Sequence, residues 1–185
     1  ASICLGHFAG SGFDHPTKDN QERLFLEVTD TSGSWMGGSS WLPHVLDRFM
    51  PHPARFRLAW SLTHGSNPFY AWEPVPPGEE FVALGFVGSK DDKQPKTDCM
   101  RCVPSSWCRE SGNIHKIWDD SGSSGRAGSI WVFNTLGLVG FVSGSDPPVR
   151  KPYDLIARRF FMKDYTDFRN DKVTAASGGY QGPKA

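Results

Sequence analysis

The residues best equipped for chemistry are Cys99-x-x-Cys102, Cys108 and His115. Zinc takes four thiolate or imidazole ligands in a tetrahedron, and a Cys-x-x-Cys turn presents two of them. These four are therefore the candidate metal ligands. The competing reading makes them small apolar core residues or reduced surface thiols. It is preferred, because a second Cys-x-x-Cys knuckle is missing. No resident metal or cofactor is expected. A Cys99–Cys108 or Cys102–Cys108 disulfide would need an oxidising compartment.

Other catalytic signals are thin. His7, His15, His44, His52, His64 and His115 are scattered, and no Gly-x-Ser-x-Gly elbow surrounds any serine. The Gly/Ser-rich run 121–129 lacks the Gly-Lys-Ser/Thr of a phosphate cradle and falls between two expected strands. It reads as a hairpin loop. No catalytic residue is assigned, and the chain is not expected to be an enzyme.

Two groups of side chains suit binding. Arg150, Lys151, Arg158, Arg159 and Lys163 are the densest basic group, interleaved with Phe160, Phe161 and Met162. Cations beside aromatics could seat on an anionic membrane. The alternative is a helix packed on the body by those aromatics, with solvated arginines. Trp60, Trp72, Trp118 and Trp131 could stack on sugars, but buried indoles of a core explain them better. Trp35, Trp41 and Trp107 are better suited to a surface role.

The elements that must position these residues are mainly strands. Phe69–Val75 is a short aromatic strand, followed by a Pro-Pro-Gly turn and a second strand over 81–89. Ala54–Leu62 alternates Phe56, Leu58 and Trp60. Further strands are expected at Ile3–Phe8, Arg23–Thr29, Ile114–Trp118 and Thr135–Val142. Leu42, Val45, Leu46 and Phe49 fall at i, i+3, i+4 and i+7, predicting a helix over 41–50. Ser39 or Ser40 can cap it, Pro43 suits its first turn, and Pro51 and Pro53 stop it. A second helix is expected over 153–163. Trp60, Trp72, Leu84 and Gly85 recur as Trp118, Trp131, Leu136 and Gly137, and Leu5-Gly6 echoes the last step. The spacing is uneven, which marks an internal pseudo-repeat and not a solenoid.

Length and charge narrow the classes. A chain of 185 residues fits one domain. Lys+Arg and Asp+Glu are both 20, so the net charge is zero. A dedicated nucleic-acid binder would show a basic excess. No run approaches the ~18 apolar residues of a transmembrane segment. Starting at Ala1, the chain reads as a processed chain or an excised piece. The expected organisation is an all-β domain over 1–152, with an insertion at about 30–53, then a C-terminal helical segment and flexible tail over 153–185.

Trp72-x-Pro74-x-Pro76-Pro77, Phe81-x-x-Leu84-Gly85-x-Val87, Pro95 and Arg101-Cys102-Val103-Pro104 resemble the vacuolar protein sorting-associated 62 family. Ile117-Trp118-Asp119-Asp120-Ser121-Gly122 and Ser129-Ile130-Trp131 fit the same pattern, and the likeness covers roughly 54–148. Related segments occur in plant-type bridge-like lipid-transfer proteins. The resemblance implies an all-β module, a β-prism or β-sandwich with one or two short peripheral helices, working at intracellular membranes. It implies no catalytic residue. The expected function is a non-enzymatic interaction module of a membrane-trafficking or lipid-transfer protein. It would be cytoplasmic or peripheral on intracellular membranes, and bind protein partners or an anionic membrane surface. A lectin-like carbohydrate-binding domain and a structural subunit of a large assembly are the alternatives.

Overall fold

Among the described residues, short strands in five small sheets and one α-helix build the fold. The structure, a computed structural model, describes residues 2–10, 26–27, 41–64, 66–121 and 126–157. The fold is all-β, as expected. Ser2–Ile3 (β1) pairs with Leu26–Glu27 (β2). The remainder of the expected Arg23–Thr29 strand, Trp35 and the tail lie outside the described residues.

The helix α1, Trp41–Phe49, agrees with the predicted periodicity. Val45 and Leu46 are buried, and Phe49 packs against the same core. Pro51 ends it, since proline cannot continue the hydrogen-bond ladder. Arg101 then binds the helix end, its Nη1 donating to Met50 O at 2.9 Å and to Asp47 Oδ1 at 2.9 Å. A cation there complements the negative end of the helix dipole.

Arg55–Leu62 (β3), Phe69–Val75 (β4) and Val87–Ser89 (β6) form an antiparallel sheet in the order β3-β4-β6. Its register shifts between Leu58 and Trp60. An extra residue at a bulge turns the side chains beyond it to the other face. Leu58 therefore lies opposite Trp72, while Trp60 lies opposite Ala71. Directly opposed residues share a face and successive residues do not. Trp60 and Trp72 thus point to opposite faces, where simple alternation would place them together. Trp72 packs with Phe56, Val87 and Met100. Trp60 packs with Val132, Val139 and Phe141 of the second sheet.

That second sheet has His115–Asp119 (β9) at one edge, Gly128–Val132 (β10) in the centre and Val139–Ser143 (β11) at the other edge. It also carries a register shift, between Ile130 and Trp131. Trp118 lies opposite Ile130 and is 40% exposed on its edge strand, whereas Trp131 is buried on the other face. Trp118 therefore departs from the expected core. Its ring meets Trp60 edge-on, centroids 5.7 Å apart.

The expected strand over 81–89 is two strands. Phe81–Val82 (β5) pairs with Val103–Pro104 (β7), while β6 pairs with β4. Between them the chain turns inward to a third core of Leu5, Leu46, Val82, Leu84, Val103 and Leu138. Three segments meet there through a closed ring of backbone hydrogen bonds. His7 N–H donates to Phe86 O at 2.9 Å, Phe86 N–H to Val139 O at 2.9 Å, and Val139 N–H to His7 O at 3.0 Å. Strands meeting three ways at one point must come very close. Gly6, at φ 145°, would place a Cβ 2.8 Å from Gly85 Cα, and a Cβ on Gly85 would lie 2.9 Å from Leu138 Cβ. Leu138, and not Gly137, therefore stands beside Gly85. The Leu136-Gly137 step is displaced by one residue from the Leu84-Gly85 step.

The expected Thr135–Val142 strand begins only at Val139, because residues 134–137 form a turn. Gly137, at φ 74°, donates its N–H to Asn134 O at 3.0 Å. The helix expected from Tyr153 does not start there. Tyr153–Leu155 (β12) is a strand paired with Cys108–Glu110 (β8). Backbone pairing outweighs a loose helical pattern in three residues flanked by Pro152.

Candidate functional site

The four candidate zinc ligands are not brought together. Among the described residues, no group of three or more His, Cys, Asp or Glu is placed to hold a metal ion. Cys102 is fully buried in the core, Cys99 is exposed, Cys108 is half-buried and His115 is exposed on β9. Burial pushes the Cys102 thiol up to about 12. Burial, then the nearby Asp154 charge, does the same to Cys108. All four cysteines are free thiols. Trp107, expected at the surface, is half-buried and packs against the Leu84 core.

Sequence reasoning missed the buried polar cluster. Asn134 donates to Leu84 O at 2.7 Å and Tyr153 O at 3.2 Å, and its Oδ1 accepts from Leu138 N–H at 3.2 Å. The Asp154 carboxylate accepts from Thr135 Oγ1 at 2.9 Å, Thr135 N–H and Leu155 N–H. Every polar atom named here is occupied by backbone or a neighbouring side chain. The cluster ties β12 to the 134–137 turn and is a structural device. The Asn-Thr-x-Gly wording of that turn was its only sequence signal.

The cluster also shapes the surface outside it. Gly144, at φ 94°, turns the chain at the end of β11. Pro147-Pro148 then keep it out of the sheet, since proline offers no ladder donor. The segment is fixed at two points beyond. Ser111 N–H donates to Pro152 O at 2.8 Å, and Ile156 N–H to Trp107 O at 2.9 Å. With Asp154 turned inward, its neighbour Tyr153 faces out.

The result is a strip of chain, 149–156, in which exposed apolar and basic side chains alternate with buried Pro152 and Asp154. Val149 is 102% exposed, and Tyr153 and Ile156 are exposed as well. Arg150 and Lys151 stand between them and are also exposed. Lys151 Nζ lies 3.1 Å from Glu110 Oε2, both side chains about two-thirds in water. Such a solvated pair is worth little, on the order of 0–1 kcal/mol. Arg150 has no ion-pair partner among the described residues. Two of the five expected membrane-binding cations therefore lie on this strip. Arg158, Arg159 and Lys163 lie outside the described residues. The apolar members of the strip escape a reading of the sequence, because single exposed residues carry no periodic signal.

A second exposed aromatic, Trp118, lies over an apolar cleft of about 320 Å³ lined by Trp60, Leu62, Phe69, Ile117 and Ile130. Among the described residues, no helix is long and apolar enough to cross a membrane.

Comparison with known proteins adds a family. The family model of vacuolar protein sorting-associated protein 62 matches residues 22–136. The match takes in α1, which the sequence pattern alone sets apart as an insertion. No curated protein matches. Among solved structures, the crystal structure of GNIP1Aa from Chromobacterium piscinae is similar at 16% identity and a TM-score of 0.49. The alignment covers 70% of this chain and 28% of that one.

Proposed function

The chain belongs to the vacuolar protein sorting-associated protein 62 family, and from that premise we propose that it is a non-enzymatic interaction module of a membrane-trafficking or lipid-transfer protein, attaching to an anionic membrane surface. The strip of Val149, Arg150, Lys151, Tyr153 and Ile156 supports this reading. Exposed apolar side chains favour the headgroup boundary, and adjacent cations favour anionic lipid. The strip rests on a hydrogen-bonded base, so little ordering is needed on binding.

Co-sedimentation with phosphatidylcholine vesicles, with and without phosphatidylserine, tests the proposal. Binding is expected only with the anionic lipid. At about 1 kcal/mol for each basic residue near the surface, R150A/K151A should lower partitioning roughly 30-fold. Equal binding of the double variant, or none to either vesicle, would remove the strip as a membrane site. A protein captured in place of vesicles and lost in the same variant would reassign it to a protein partner.

A further inference from the structure

We propose that His7 makes docking of the N-terminal segment, residues 2–10, dependent on pH: the neutral imidazole clasps Gly88 and the protonated one releases it. The inference rests on stereochemistry. Gly88 N–H points at His7 Nδ1 from 3.2 Å. A backbone amide can only donate, so Nδ1 must offer its lone pair and the ring proton must sit on Nε2. Protonation would set one N–H against another. The contact exists only for the neutral ring.

Position makes this consequential. His7 supplies both a donor and an acceptor to the three-way ring with Phe86 and Val139. The rest of the segment is held by Arg101 N–H donating to Cys4 O, the Phe8–Leu138 bridge, the β1–β2 pair and the buried Leu5. All but the β1–β2 pair join residues far apart in sequence. The segment is therefore a separately docked piece, of the kind that opens before the rest of a fold.

Charges on the packed elements do not rescue the imidazolium. β11 and β6 carry no ionisable residue, and the charges that follow β6 are mixed, Lys90 and Lys93 with Asp91 and Asp92. On β4 the ionisable residues are Tyr70 and Glu73, and Glu73 is held by Arg57. The other titratable group on the segment is Cys4, a thiol. His7 is exposed at the surface, and desolvation of the part of its ring that faces the body lowers its pKa from 6.5, with no neighbouring charge contributing. The docked pKa is thus below the undocked one. The His7 contribution to docking is fully present above about pH 6.5 and is lost as pH falls through the docked value. Each unit between the two pKa values shifts the equilibrium tenfold toward release. This device is independent of the membrane strip.

An NMR titration of the intact chain from neutral to acidic pH tests it. The His7 imidazole should titrate below 6.5, and the Gly88 amide should move with the same midpoint. Over that range the Leu5 and His7 amides should lose exchange protection relative to Ile130 in the same sample. In H7N the side-chain oxygen takes the place of Nδ1 and accepts without titrating, so protection should stay flat. His7 titrating at 6.5 or above, a Gly88 amide that does not move with it, or an H7N protein with the wild-type response would overturn the proposal. If H7N fails to fold, the wild-type titration decides alone.

Discussion

Replacing Asn134 with leucine should cost the fold about 4 kcal/mol. The side chain is 1% exposed and close to leucine in volume, so little cavity forms. What is lost is hydrogen bonding. Leu84 O and Leu138 N–H, bonded to Asn134 at 2.7 Å and 3.2 Å, are both buried and would have no partner. A buried group stripped of its partner costs roughly 1–3 kcal/mol, so two give about 4 kcal/mol. Tyr153 O, nearer the surface, can turn to water and adds little. Set against a domain stability of about 5–15 kcal/mol, the loss is large. Urea unfolding monitored by tryptophan fluorescence measures it as a lower midpoint at unchanged slope. N134D should be worse, because an oxygen would replace the amide nitrogen facing Leu84 O. A loss below about 1 kcal/mol for N134L would refute the reasoning, since water or backbone movement would then be satisfying both groups.

The same contacts fix further outcomes. G140A would drive a Cβ into the Phe133 ring, which itself stands edge-on to Phe86 at 5.7 Å. It should destabilise by about 1–3 kcal/mol through overpacking, and F133L on that background should recover part of the loss in the same urea assay. Iodoacetamide at neutral pH should label Cys4 and Cys99 in the native protein, because both are exposed, with Cys99 slowed by the desolvation that raises its thiol pKa. Cys102 and Cys108, with thiols pushed up to about 12, should react only after unfolding. Mass spectrometry of the labelled chain reads the count, and early labelling of Cys102 would contradict its burial.

How much of this was legible in the sequence depended on whether a signal was local. The helix was, because Val45, Leu46 and Phe49 repeat at helical spacing and Pro51 stops it. The strands β3 and β4 were as well, from their alternation and the aromatic run. The bulges were not. One extra residue before Trp60 carried Trp60 and Trp72 to opposite faces, and nothing in composition marks such a step. Trp118 and Trp131 part because the pairing sets Trp118 opposite Ile130, the neighbour of Trp131. The split at Leu84-Gly85 was equally hidden. It is set by Gly6 and Leu138, which arrive from distant parts of the chain. The environments of the cysteines were hidden for a related reason, since sequence spacing placed Cys102 near Cys99 while the fold turned one inward and the other outward. On the candidate site, Arg150 and Lys151 were visible as charge. The exposure of Tyr153 depended on its neighbour Asp154 being drawn inward by Thr135, and that of Val149 and Ile156 on chain outside the strand.

The most direct measurement is a hydrogen-exchange footprint of the intact chain with and without phosphatidylserine vesicles. Slower exchange on vesicles is expected in peptides spanning 147–157, and the β9–β11 sheet should not change. Protection confined to the β9–β11 sheet, or none under conditions where the chain sediments with the vesicles, would contradict membrane attachment through the strip.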